Sequence, residues 1–203
     1  MSLVLVDYGA GNLRSAANAL LAAGAARVEV TSAPERVAAA ERIVLPGVGA
    51  FGACIGAIRA IAGLEEALGE AVRAKGRPFL GICVGMQLLA EEGHEFGVHR
   101  GLGWIPGRVE RLEPGAAALK VPQIGWNSVR AQGAGPVEDG WAYFVHSYAL
   151  RAATDRDIVA RIDYGGAVVA AVQRDTVLGV QFHPEKSQRY GLGLLARFLA
   201  WRP

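Results

Sequence analysis

The stretch Pro78-Phe79-Leu80-Gly81-Ile82-Cys83-Val84-Gly85-Met86-Gln87 decides the fold. An apolar run ends on a cysteine held between two glycines, and the residues after it read as a helix. This G-x-C-x-G pattern has the mechanics of the G-x-S-x-G nucleophile elbow, in which small residues let the chain reverse tightly and expose a nucleophile over the end of a sheet. Cys83 then stands at a helix N-terminus. Unpaired N–H groups and the positive end of the helix dipole there favour thiolate, the reactive form of the side chain.

Working outward, short β-rich runs alternate with helical patterns, as in a doubly wound parallel sheet. Ser2–Val6 reads as the first strand, Asn12–Ala23 as a helix closed by Gly24, and Val28–Thr31 and Arg42–Leu45 as further strands. Helical material is expected over roughly residues 50–75. Beyond about Trp104 the pattern changes to short strands, Ala142–Tyr148, Asp157–Asp163, Val168–Arg174 and Val177–Phe182, before a helix over Tyr190–Trp201. The expected fold is an open, mostly parallel α/β sheet flanked by helices, flavodoxin-like, with a small antiparallel β appendage. One domain is expected over residues 1–203. The most linker-like loop, Gly133-Ala134-Gly135-Pro136, is too short to divide it.

A cysteine nucleophile needs a base. Val177-Leu178-Gly179-Val180-Gln181-Phe182-His183-Pro184-Glu185 carries a second apolar strand into His-Pro-Glu. Pro184 biases His183 away from the α region, so that His183 and Glu185, two apart along an extended chain, point to the same side. The carboxylate can then fix the tautomer of an imidazole that exchanges protons near neutral pH, which is triad logic with sulfur as nucleophile. The charge that develops on an attacked carbonyl calls for backbone donors. Val84 N–H comes directly after the nucleophile, and the Pro46–Gly49 loop comes after another strand end. Gln87, one turn beyond Cys83, lies on the same helix face. Cys54, in Ala50-Phe51-Gly52-Ala53-Cys54-Ile55, has no elbow and no partner pattern, and reads as helix packing.

These residues carry a family resemblance. The elbow and His-Pro-Glu resemble those of class I, triad-type glutamine amidotransferases. Asp7-Tyr8-Gly9-Ala10-Gly11-Asn12-Leu13, Pro46-Gly47-Val48-Gly49-Ala50-Phe51, Gly125-Trp126-Asn127 and His183-Pro184-Glu185-Lys186-Ser187 are similar, within that class, to the glutaminase subunits of imidazole glycerol phosphate synthase in histidine biosynthesis. The resemblance runs essentially end to end. It implies a glutaminase in which Cys83, His183 and Glu185 release ammonia from glutamine through a thioester, with Val48, Gly49 and Val84 around the oxyanion. It further implies that Gln87, Glu95 and the segment His146-Ser147-Tyr148 border the glutamine. Ammonia would pass to a separate (β/α)8 cyclase subunit in a heterodimer, with Asn12, Trp126, Tyr143 and Lys186 as interface candidates. No cofactor and no metal are implied. One departure stands out: Gln123, in Val121-Pro122-Gln123-Ile124, occupies a place where a histidine is expected, which bears on local packing or interface detail. A glutaminase of another pathway, a cysteine peptidase or deglycase on a similar sheet, and a catalytically silent binding module are the alternative readings.

Composition fits this expectation. The 203 residues are 52% hydrophobic and 20% charged with a formal net charge of +2, enough apolar content for a large core. The basic residues are scattered despite an isoelectric point of about 8.7, which gives no footprint for nucleic acid. Two cysteines without framework spacing suggest a reducing compartment. Asp7 interrupts the opening Leu3-Val4-Leu5-Val6, which has no basic leader, and no run reaches the roughly 20 apolar residues of a membrane span. The expected setting is the cytoplasm. His94 and His99 lack the paired spacing of a structural zinc site.

Overall fold

Apolar runs without alternation become strands buried on both faces, and four such runs form the centre of the computed structural model, which describes residues 2–115 and 119–203. The chain runs β1 (Leu3–Val6), α1 (Leu13–Ala22), β2 (Glu29–Thr31), α2 (Pro34–Ala38), β3 (Arg42–Gly47), α3 (Phe51–Ala60), α4 (Leu64–Gly69), β4 (Phe79–Cys83) and α5 (Val84–Gln87). It continues through β5 (Glu92–Gly93), β6 (His99–Arg100), β7 (Gly107–Arg111), β8 (Gln123–Ala131), β9 (Gly140–His146) and β10 (Tyr148–Ala152). The last elements are β11 (Ile158–Asp163), β12 (Ala167–Arg174), β13 (Val177–Val180) and α6 (Gln188–Ala200).

The main sheet has the order β2-β1-β3-β4-β13-β12-β11-β8-β9. The pairings from β2 to β13 are parallel, and those from β13 to β9 are antiparallel. Every residue of β1, β3, β4 and β13 is buried. Helix α1 packs on α6, and α2 on α4. Right-handed crossovers put these two pairs on opposite faces of the parallel strands. Buried Arg42 ties the layers together, donating from its guanidinium to the carbonyls of Phe198 at 3.0 Å and Trp201 at 2.5 Å. Those carbonyls belong to the end of α6, where the helix leaves acceptors without internal partners.

The expected α/β architecture is present, with differences that have local causes. The helical stretch over residues 50–75 breaks at Gly63, whose φ of +81 starts a second helix, α4, continued by a π turn over Glu70–Ala74. Much of the region beyond Trp104 extends the main sheet, and a separate four-stranded sheet, β10-β7-β5-β6, forms the appendage. The run expected as one strand over Ala142–Tyr148 divides at Ser147, with β9 pairing in the main sheet and β10 in the small one. The helix after the elbow is a single turn, α5. The dipole argument therefore shrinks to the local N–H groups of Val84–Gln87, because a macrodipole needs several aligned turns.

Candidate active site

Register brings the pieces of the site together. Gly47 at the end of β3 pairs with Cys83 at the end of β4, and Val180 at the end of β13 pairs with Ile82. The loops after β3, β4 and β13 therefore emerge side by side at the carboxyl edge of the parallel strands, where ligand sites of open α/β sheets collect.

Cys83 has φ +55 and ψ −113, a backbone conformation that costs a non-glycine residue about 1–3 kcal/mol. The elbow glycines serve close approach instead. A Cβ on Gly85 would lie 2.0 Å from the Leu45 carbonyl oxygen, and one on Gly81 would lie 2.5 Å from the Gly85 carbonyl oxygen. The turn α5 is thus pressed against β3 and β4, and this contact holds Cys83 in its strained conformation.

His183 keeps the extended conformation that Pro184 was expected to impose, with φ −99 and ψ +99. The next residues correct the expectation of an extended chain: Pro184–Lys186 form a 3-10 turn, and that turn swings Glu185 back to His183. Nδ1 of His183 lies 2.8 Å from Glu185 Oε1, with the two side chains 4% and 5% exposed. Glu185 Oε2 is buried and has no hydrogen-bond partner among the described residues, so the carboxylate holds the ring through one oxygen. The Cys83 side chain is the ring's other neighbour. Burial opposes a charge on His183, but its interactions with Cys83 and with the Glu185 carboxylate outweigh burial and push the imidazole up from 6.5 to about 9. At neutral pH the arrangement is therefore an imidazolium facing sulfur.

A cavity of about 330 Å³ opens over Cys83 and His183. Its wall includes Val48, Gly49, Val84, Gln87, Glu95, Ser147 and Tyr148, together with His146 and Lys186. All the residues expected at the oxyanion and around the substrate thus line one space, and Glu185 stands behind His183. Val48 is 44% exposed at the rim, while its carbonyl accepts from Cys54 Sγ at 3.4 Å and the next residue, Gly49, has φ +107. Cys54 is buried on α3, as packing predicts, and it also anchors the loop of Val48. Glu95 accepts from Phe51 N–H at 2.8 Å, which caps α3 and fixes the carboxylate at the cavity edge. His146 is buried. Its Nδ1 faces the Tyr148 carbonyl at 2.9 Å, and its Nε2 faces Gln123 at 3.0 Å. Desolvation, with the His183 charge adding to it, outweighs the Tyr148 hydrogen bond and pushes His146 down to about 4, so this ring is neutral.

The interface candidates stand on four separate elements. Asn12 caps α1, its Oδ1 accepting from Ser15 N–H at 3.4 Å. Trp126 and Tyr143 are register partners on β8 and β9 and meet edge to face at 5.8 Å, with Trp126 44% exposed. Lys186 is exposed at the cavity.

Three residues of this site escaped sequence reasoning as contributors. Gln123, expected to matter only for packing or interface detail, is buried against His146. Gln181 is fully buried and meets both Gln87 and Cys83. Ser187 Oγ donates to the His183 carbonyl at 2.7 Å and accepts from Tyr143 N–H at 2.9 Å, while His183 N–H donates to the Tyr143 carbonyl at 3.0 Å. His183 is thus clamped to the strand that carries Tyr143. A polar residue directly after an apolar strand, as Gln181 is after β13, was the available signal.

Among the described residues, no group of three or more His, Cys, Asp or Glu side chains is placed to hold a metal, and no helix is long and apolar enough to cross a membrane.

Comparison with known proteins agrees with this geometry. The family model for glutamine amidotransferase class-I matches residues 4–200. Imidazole glycerol phosphate synthase subunit HisH of Zymomonas mobilis is 55% identical, covering 100% of this chain and 97% of that protein. The HisH subunit of Ruegeria pomeroyi is 51% identical, with both chains covered completely. Among solved structures, a glutamine amidotransferase crystal structure superposes with a TM-score of 0.72 at 21% identity, over 95% of this chain and 98% of that one. PurLQS from Thermotoga maritima superposes with a TM-score of 0.70 at 20% identity, over 98% and 97%. The chain belongs to the class-I glutamine amidotransferase family, in the branch formed by the HisH subunits of imidazole glycerol phosphate synthase.

Proposed function

We propose that Cys83, His183 and Glu185 are the catalytic triad of the glutaminase subunit of imidazole glycerol phosphate synthase, and that the ammonia they release passes to a (β/α)8 cyclase subunit docked as a heterodimer partner in the cytoplasm. The observation that carries the reading is the placement of a strained cysteine against a histidine whose other nitrogen is held by a carboxylate at 2.8 Å, under a cavity that all the expected substrate residues line.

The chemistry is set by the protonation state. The Cys83 thiolate attacks the side-chain amide carbon of glutamine, and the carbonyl electrons move onto oxygen beside the backbone of Val84 and the Val48–Gly49 loop. The His183 imidazolium gives its proton to the departing nitrogen, ammonia leaves, and a γ-glutamyl thioester remains. Neutral His183 then takes a proton from water, whose oxygen attacks the thioester. Collapse of the second tetrahedral species expels the thiolate and yields glutamate. Glu185 keeps Nδ1 protonated throughout, so Nε2 is the nitrogen that exchanges protons. Gln87, Glu95 and the His146–Tyr148 segment surround the glutamine, and Asn12, Trp126, Tyr143 and Lys186 face the cyclase.

The test is glutamate production by the chain alone and with purified cyclase and its nucleotide ligand. The reading requires glutaminase activity that rises on docking and disappears in Cys83→Ala. A folded Cys83→Ala protein with normal glutamate production would sink it.

A further inference from the structure

A row of buried amides runs beneath the cavity, and a single main-chain carbonyl fixes the direction of its hydrogen bonds. The Tyr148 carbonyl oxygen lies 2.9 Å from Gln87 Nε2 and 2.9 Å from His146 Nδ1. A carbonyl only accepts, so both atoms facing it are donors. This settles which end of the Gln87 amide is nitrogen, because the two ends of an amide are told apart by their hydrogen-bond partners. Gln87 Nε2 is also 3.0 Å from the Gln181 amide, so the Gln181 atom there is its oxygen. The nitrogen of Gln181 is then the end that lies 3.8 Å from Cys83 Sγ. Gln87 is 3% exposed and Gln181 is 0% exposed, so neither amide has water to turn toward. The Gln123 amide, 3.0 Å from His146 Nε2, turns whichever end the ring requires and completes the row.

We propose that Gln181 is an N–H donor to the sulfur of Cys83, with its orientation set from the Tyr148 carbonyl through Gln87. The sulfur thus has the Gln181 N–H at 3.8 Å as a donor, beside the charged His183 ring, while the Val145 carbonyl at 3.9 Å is an acceptor available only to the protonated thiol. The inference rests on reading Cys83 as the nucleophile. A donor aimed at sulfur stabilises thiolate relative to thiol, and it stabilises the same thiolate when it leaves the thioester. A buried glutamine beside the nucleophile also has a reason to be an amide: a glutamate would aim an acceptor at sulfur, and an apolar side chain would leave the second N–H of Gln87 without a partner.

Cys83 alkylation by iodoacetamide, quantified by mass spectrometry of the full chain from pH 5 to pH 10, reads this directly. The titratable groups around the sulfur are His183 and Glu185 after β13, Tyr8 after β1, Cys54 on α3, His146 on β9, and Glu95 and Lys186 at the cavity. Gln181→Leu leaves all of them in place. The expected result is an alkylation midpoint about one pH unit higher in Gln181→Leu, equivalent to a tenfold smaller thiolate fraction below the midpoint. In the assembled complex, kcat should fall with KM nearly unchanged. Gln181→Glu should raise the midpoint further. An unchanged midpoint in folded Gln181→Leu overturns the inference. The wild-type chain supplies a measurement independent of how the variants fold. The side-chain amide protons of Gln181, monitored by NMR, should shift with the same midpoint as Cys83 alkylation and lose that response in Cys83→Ala. Amide protons that ignore Cys83 also overturn it. An active Cys83→Ala would remove the proposed nucleophile itself, whereas an inactive Cys83→Ala beside an unaltered Gln181→Leu profile would remove only the role of Gln181.

Discussion

Acidification should weaken the fold through His146 before most carboxylates titrate. The ring is 5% exposed, and burial brings it down from 6.5 to about 4. A histidine held below its unfolded value contributes stability that is complete above 6.5, because the unfolded chain binds the proton more readily. That contribution declines as pH falls from 6.5 through 4. The full difference is about 3 kcal/mol at about 1.4 kcal/mol per pH unit, and about 2 kcal/mol of it is lost between pH 7 and pH 4.5. The assay is urea unfolding of wild type and His146→Gln at pH 7, 6, 5 and 4.5. His146→Gln is less stable at neutral pH because it gives up the bond to Tyr148, but the carboxylates are common to both proteins and cancel in the comparison. Wild type should lose about 2 kcal/mol more than His146→Gln across this range. Parallel losses in the two proteins would refute the claim that His146 is held neutral in the fold.

Other perturbations separate the parts of the site. His183→Ala should nearly eliminate glutamate production because both proton transfers fail, whereas Glu185→Gln should keep part of it; full activity of Glu185→Gln in the assembled complex would put the third triad member elsewhere. Gly85→Ala should destabilise the chain by about 3 kcal/mol or more in denaturant melts, since its methyl would lie 2.0 Å from the Leu45 carbonyl oxygen and main chain cannot move aside cheaply. Trp126→Ala and Lys186→Ala should lower cyclase-dependent stimulation more than they lower basal hydrolysis. Steady-state glutamate assays with and without the cyclase would show normal stimulation if the interface lies elsewhere.

The sequence carried the elements whose cause is local. Continuous apolar runs announced β1, β3, β4 and β13, and the run Asn12–Ala23 announced α1, whose cap at Asn12 only the structure shows. The G-x-C-x-G pattern announced the elbow, although its glycines answer to close approach, Gly85 to Leu45 and Gly81 to Gly85, and not to a backbone of their own, and the positive φ fell on Cys83. What depends on partners far along the chain was not legible. Strand pairing decides that β12 and β11 continue the main sheet, and Ser147 divides a run of uniform β character because its two halves find different neighbours. Gln181 looked like an ordinary strand residue, since nothing in an apolar run tells which buried polar group, 98 positions away, waits to receive its hydrogen bond. The reach of Glu185 to His183 was foreseen, but by an extended chain; Pro184 starts a turn as readily as it ends a strand, and the turn made the contact.

The most direct measurement is covalent labelling with an electrophilic glutamine analogue, read by peptide mass spectrometry in the presence of the cyclase. The account predicts one adduct, on Cys83, that excess glutamine prevents and that accumulates in step with loss of glutamate production, while Cys54 stays unmodified. Loss of activity with the adduct on Cys54, or with Cys83 unlabelled, would contradict it.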